Sequence, residues 1–224
     1  IDATSAEKRV MKINISDKDL YKIGAFIDGN WVDSDDRSTY SVNNPATGEI
    51  IADVANCGFE ETTRAIEAAE SAGPSWNKLS IKERASILRK WFELMLDAQE
   101  DLAQILTAEQ GKPLAEGIGE TARAGQQFQY YGSECLRLYG EKIPSTRPGF
   151  QVEMSREPLG VIGIISPWNF PIAIPAWKAA PAMMCGNAVI LKPASLTAGS
   201  AIALTEIISN QDIPHGLFNL VLGS

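Results

Sequence analysis

Two tetrapeptides in this 224-residue chain gather side chains that could do chemistry, and each ends an apolar run. Ser166-Pro167-Trp168-Asn169 sets an amide donor beside an indole, and Lys192-Pro193-Ala194-Ser195 sets a cation near a hydroxyl. A carboxamide and a lysine bring hydrogen-bond donors, and a hydroxyl both donates and accepts, so both segments are suited to a polar ligand. A third run ends at Gly223-Ser224, where a glycine would let backbone approach a phosphate closely. Neither the G-x-G-x-x-G fingerprint nor the P-loop occurs, so a dinucleotide would need a different device. Nucleophiles are less promising. Cys185 falls between Met184 and Gly186 at the end of a helical stretch, where the dipole disfavours a thiolate, and it reads as core. Cys135 lies inside a helical pattern and Cys57 in a Cys-Gly loop before a helix. His215, in Pro214-His215-Gly216, reads as an exposed turn residue, and one imidazole cannot build a metal site, so no metal is expected.

The elements that must position these residues follow from the punctuation. In the N-terminal quarter, Asp28-Gly29 turns the chain between Phe26-Ile27 and Asn30-Trp31-Val32, and Asn44-Pro45-Ala46-Thr47-Gly48 turns it again before Glu49 to Val54. The period then changes to 3.6 over Phe59 to Ser71. Ser80-Ile81-Lys82-Glu83 is a capping box opening a helix with Ile87, Leu88, Trp91, Leu94 and Met95 on one side. Helical pattern covers Leu102 to Gln110, closed by Gly111, and Leu114 to Leu138, closed by Gly140; Phe150 to Arg156 alternates as one strand of a ribbon outside the core. Val161 to Ile165 reads as a strand buried on both faces. Ile174 to Met184 is helical, Ala188 to Lys192 extended, Thr197 to Ile208 helical and Leu217 to Leu222 extended. The order β-α-β-α-β implies an α/β fold, part of a doubly wound parallel sheet preceded by β-hairpins and helices. Ligands of such sheets bind beyond the carboxyl ends of the strands, where all three chemistry-bearing segments fall. The chain divides into a polar extension at 1–20, a hairpin and helical part at 21–140, a ribbon at 141–159 and a β-α-β-α-β part at 160–224.

Composition excludes several classes. An apolar share of 45% is enough for a core. Twenty Lys and Arg against 28 Asp and Glu, net −8, is the wrong sign for a nucleic-acid or anionic-lipid partner. No apolar stretch is long enough to span a membrane. Three scattered cysteines are neither a disulfide framework nor a zinc site and suit a reducing compartment, so a cytoplasmic location is expected. The opening twenty residues lack the apolar region of a signal peptide. With Ile1 first and Met11 the first methionine, the chain is expected to begin after its gene does; it also stops directly after an apolar run.

The same residues resemble the aldehyde dehydrogenase superfamily. The resemblance rests on Ser166-Pro167-Trp168-Asn169-Phe170-Pro171, Pro175-Ala176-Trp177-Lys178, Gly186-Asn187 leading to Leu191-Lys192-Pro193-Ala194-Ser195, and Gly216 to Val221. Glu109-Gln110-Gly111-Lys112-Pro113 and the Asn44 to Gly48 turn fit it as well, so it covers about Phe26 to Ser224. Ile174 to Lys178 and Glu109 to Pro113 look most like α-ketoglutarate and succinate semialdehyde dehydrogenases. The resemblance implies an incomplete aldehyde dehydrogenase fold and NADP- or NAD-dependent oxidation of a small-molecule aldehyde. In that chemistry a cysteine attacks the aldehyde, hydride passes to the nicotinamide, and a glutamate activates water to release the acid. Asn169 matches the oxyanion-hole asparagine; by local chemistry alone it would be a turn residue before Pro171. Ile165, Ser166, Pro167 and Trp168 would line the cofactor cleft, with Ala194 beside Lys192, the lysine that reaches the adenosine ribose. NAD-preferring members commonly carry a glutamate where Ser195 stands, so Lys192 with Ser195 implies tolerance of, or preference for, NADP; otherwise Ser195 helps cap the next helix, and both roles can coexist. Trp177 would stand near the aldehyde tunnel or equally be a core aromatic. Succinate semialdehyde dehydrogenases often have arginine there to pair with the substrate carboxylate, which turns the substrate towards α-ketoglutarate semialdehyde or a broader aldehyde. Lys178 defaults to a surface lysine.

No cysteine flank here resembles the family's nucleophile segment, which lies further along than Ser224 in the family, as does the glutamate base. The chain alone is therefore expected to be inactive, the N-terminal part of a larger enzyme. The family's use of the ribbon implies a homodimer or homotetramer. The rival from another class is a non-catalytic cofactor-binding or assembly module, for which no nucleophile is needed.

Overall fold

The computed structural model describes residues 13–223. Asp28 and Gly29 adopt φ of 50° and 77°, the left-handed values a tight primed turn demands, and join Ala25–Ile27 (β1) to Asn30–Val32 (β2). A second hairpin pairs Thr39–Asn43 (β3) with Ile50–Ala55 (β4). In its turn the Asn44 side chain accepts from the Ala46 amide at 2.8 Å and Gly48 takes φ 75°.

Four helices follow: α1 (Phe59–Lys78), α2 (Ile81–Asp97), α3 (Gln99–Gln110) and α4 (Leu114–Glu134). The capping box is present, with Ser80 Oγ accepting from Glu83 N at 3.2 Å and Glu83 accepting from Ser80 N at 2.7 Å. Gly111 closes α3 at φ 82°, as its position implied. Two boundaries differ from the sequence reading. Helix α1 runs on past Ser71 through Pro74, because Trp76 two residues further is fully buried and donates its indole N–H to the Met183 carbonyl at 2.9 Å. An internal proline costs about 3 kcal/mol, and a buried indole is worth about as much or more. Helix α4 stops at Glu134, where Cys135–Arg137 tightens into a 3-10 turn, so Gly140 does not close it. Trp91 of α2 meets Phe128 of α4 edge-on, with ring centroids 5.4 Å apart.

Glu141–Pro144 (β5) and Gln151–Met154 (β6) form a separate two-stranded ribbon, exposed along both strands. The main sheet is then built from Val161–Ile165 (β7), Ala188–Lys192 (β8) and Phe218–Leu220 (β9), with helices α5 (Ala173–Met184) and α6 (Ala198–Ser209) as the crossovers. Its order is β2-β1-β9-β8-β7, with β7, β8 and β9 parallel and the N-terminal hairpin added antiparallel through β1. The mixed α/β architecture with a parallel core and N-terminal hairpins is as the sequence implied. Strand β7 corrects one detail: Ile164 is buried but Ile165 is 81% exposed, because β7 is an edge of the sheet among the described residues. Helix α1 packs on β1, β7, β8 and β9, while α2, α3 and α4 pack behind α5 and α6. No helix of the described residues is long and apolar enough to cross a membrane. Residues 1–12 of the expected polar extension lie outside the described residues, and Ile13, Ile15 and Leu20 are buried.

Candidate functional site

Parallel pairing brings the strand ends together. Ile165 stands opposite Lys192 and Leu191 opposite Leu220, and the ladder continues as Ser166 N donates to Lys192 O at 3.1 Å and Val221 N to Leu191 O at 2.9 Å. Ile165, Ser166 and Lys192 therefore share one edge. Ile165 and Pro167 are exposed, and Trp168 is 51% exposed. The Ser166 hydroxyl is buried without a hydrogen-bond partner, as is that of Thr197 just beyond β8. Lys192 is half-buried and forms no ion pair among the described residues. Ala194 and Ser195 are half-buried, with Ser195 opening the 3-10 turn Ser195–Thr197. The capping role open to Ser195 is taken by another residue. At the N-terminus of α6, Gly199 N, Ser200 N and Ser200 Oγ all donate to Glu109, at 2.7, 2.8 and 3.0 Å. Gly223 has a packing reason of its own, since a Cβ there would lie 3.2 Å from the Cys57 carbonyl oxygen; Ser224 lies outside the described residues.

Asn169 is exposed on the loop between β7 and α5, and its side-chain amide hydrogen-bonds to no described residue. Its backbone carbonyl, by contrast, accepts from Lys112 Nζ at 3.1 Å. Lys112 also pairs with Glu120 at 2.6 Å, and Glu120 Oε1 accepts from Ile172 N at 3.0 Å and Ala173 N at 3.1 Å. Trp177 is not a core aromatic: it is 41% exposed and stacks on Phe170, ring centroids 6.3 Å apart. Lys178 beside it is exposed. Glu120 carried no signal singled out from sequence; the clue available was a glutamate on the small-residue face of α4, between Gly117, Thr121 and Ala124.

The thiols are poorly placed for attack. Burial pushes Cys57 and Cys135 up to about 11 and raises Cys185 as well. Cys185 is half-buried rather than core. His215 is exposed, and among the described residues no cluster of His, Cys, Asp or Glu could hold a metal.

Residues 31–224 match the model of the aldehyde dehydrogenase family. The chain belongs to that family. Among its relatives, a glutarate-semialdehyde dehydrogenase of Pseudomonas aeruginosa is 48% identical over 212 residues, covering 95% of this chain and 44% of the relative. A succinate-semialdehyde dehydrogenase [NADP(+)] of Escherichia coli is 44% identical over 214 residues, 96% of this chain and 44% of the relative. A crystal structure described as an E. coli NADP dependent enzyme superposes with a TM-score of 0.92 at 43% identity, covering 94% of this chain and 44% of that one. This aldehyde dehydrogenase chain thus spans less than half the length of the relatives it matches. Two of the motifs behind the resemblance meet in space: a Cβ on Gly111 would come within 2.9 Å of Pro45 Cγ, so the Asn44 to Gly48 turn packs on the Glu109 to Pro113 segment.

Proposed function

We propose that the whole protein oxidises a semialdehyde of a dicarboxylic acid to the diacid, using NADP or NAD, and that this chain supplies the cofactor-binding strand ends and the oxyanion donor. The observation that carries the reading is the shared edge at which Lys192 and the buried Ser166 hydroxyl, neither with an ion-pair or side-chain hydrogen-bond partner among the described residues, stand beside the loop that presents the Asn169 amide. A donor set of one cation and several hydroxyls, next to exposed Ile165 and Pro167, suits a dinucleotide: polar ribose and phosphate on one side, apolar ring surface on the other. The dinucleotide, when bound, supplies the hydride acceptor. Lys192 and Ser195 would hold the adenosine ribose or a 2′-phosphate on it, and the Ile165 to Trp168 backbone with Ala194 would line the cleft. The Asn169 side-chain N–H would donate to the oxygen of the aldehyde as it gains negative charge, a contact stronger in the transition state than in the substrate. All three thiols here are raised by burial, which supports a nucleophile supplied by the rest of the whole protein. Trp177, exposed and stacked on Phe170 next to Asn169, would face the aldehyde.

The glutarate- and succinate-semialdehyde dehydrogenases among the relatives support semialdehydes as a class; Trp177, where arginine is common in succinate-specific members, favours α-ketoglutarate semialdehyde within it. The exposed ribbon is the surface through which copies would associate as a homodimer or homotetramer. A steady-state screen of semialdehydes from four to six carbons, with each nucleotide, tests the proposal on the whole protein. Turnover of at least one semialdehyde well above that of unsubstituted aldehydes is expected; reduction of neither nucleotide with any aldehyde would leave the non-catalytic module as the better description.

A further inference from the structure

We propose that Lys112 and Glu120 are positioning residues that aim the Asn169 amide by clamping both ends of its loop. For its catalytic consequence the inference rests on the oxyanion role of Asn169. That amide has no hydrogen-bond partner among the described residues, so its direction is set by the backbone that carries it. Lys112 Nζ holds the Asn169 carbonyl at 3.1 Å and lies 4.3 Å above the centroid of the next ring, Phe170. Its counter-ion Glu120, 2.6 Å away, takes the Ile172 and Ala173 amides at the other end of the loop. One ion pair therefore grips residues 169, 170, 172 and 173 at once. It does so out of water, with 10% of the Lys112 side chain and 1% of the Glu120 side chain exposed. Burying two charges is an inefficient way to gain stability, whereas a dry pair with every contact directed at one short loop is an efficient way to fix its geometry. Displacing an oxyanion donor by even about 1 Å is enough to lose on the order of 100-fold in rate.

In the whole enzyme, Lys112→Met keeps the apolar stem and removes the charge. It is expected to lower kcat by about 10- to 100-fold while KM for aldehyde and Kd for nucleotide stay within about threefold. In an Asn169→Ala background the same substitution should cost less than about threefold, because Lys112 then has no amide to aim. An equal loss in both backgrounds, or a kcat within twofold of wild type, would overturn the proposal. If Lys112→Met does not fold, the isosteric Glu120→Gln is held to the same limits; failure of both to fold would make the pair a structural bolt and overturn it too. Amide hydrogen exchange separates this idea from the oxyanion reading. Ile172 and Ala173 should exchange at least about 10-fold faster in either variant whatever the reaction is, and unchanged protection would sink the clamp alone. Asn169→Ala with normal turnover would sink the oxyanion role alone.

Discussion

On the proposed reading Asn169 would serve catalysis and Ser195 cofactor choice; Asn169 is exposed and Ser195 half-buried. The Asn169 side-chain amide has no hydrogen-bond partner among the described residues, and its loop is held at the Asn169 carbonyl by Lys112 and at the Ile172 and Ala173 amides by Glu120. Asn169→Ala is expected to cut kcat by about 100- to 1000-fold with the protein's melting temperature unchanged, since no internal hydrogen bond is lost. Ser195 sits three residues past the end of β8, where a carboxylate would meet a 2′-phosphate with like charge. The wild-type protein should bind NADP more tightly than NAD, and Ser195→Glu should reverse the order; titration of both nucleotides by fluorescence decides it, and equal affinities before and after would refute the argument. The exposed loop that carries Asn169 could be read from the Ser166 to Pro171 segment because one short stretch holds its turn residues, whereas the oxyanion role there is what the family resemblance implies. The second role open to Ser195, helix capping, could not be resolved the same way. The carboxylate that caps α6 comes from Glu109, about ninety positions earlier, and no local pattern announces it.

Both crossover helices begin on a buried glutamate supplied by the helical layer behind them. Glu120 of α4 receives the first amides of α5, and Glu109 of α3 those of α6, each answering the positive end of a helix dipole. Glu109 also accepts from the Tyr21 hydroxyl at 3.0 Å. Burial raises the Glu109 carboxyl from 4.5 to about 7 against the pull of those hydrogen bonds. Between pH 4.5 and 7 the folded protein therefore keeps a proton that the unfolded chain has released, so this group's contribution to stability declines as pH rises through that window. Relative to Glu109→Gln, wild type should lose up to about 3 kcal/mol between pH 4.5 and 7.5 in urea unfolding, and parallel profiles would contradict it. The helices themselves were readable wherever a cap or a repeating apolar face is local, as at Ser80 and Gly111. The extension of α1 through Pro74 was not, because Trp76 gains its partner from Met183, more than a hundred positions away. The exposure of β7 escaped the same reading, since a continuous apolar run looks alike in a central strand and at an edge.

Among the described residues, two surfaces are left unfinished. One is the β7 edge with Ile165, Trp168 and Trp177 beside the proposed site. The other is the ribbon, where Ile143 stands opposite Val152 and Met154 lies two residues on, so the three share one half-exposed apolar face. A lone two-stranded ribbon is marginal in water, which supports the proposal that a second copy covers this face. Val152→Glu with Met154→Lys is expected to move the whole protein from dimer or tetramer to monomer in light scattering; an unchanged mass would place the interface elsewhere. The architecture was inferable from the alternation of strands and helices, but the closure of the sheet was not. The N-terminal hairpin joins it by Phe26 opposite Leu220, and by Asp28 N donating to Asn219 Oδ1 at 3.1 Å across 191 positions. On a translating ribosome, at about 5–20 residues per second, such a separation is a delay of roughly 10–40 s. Throughout that interval the hairpin exists with one flank open to any passing strand, and β9, made after β7 and β8, is what relieves it.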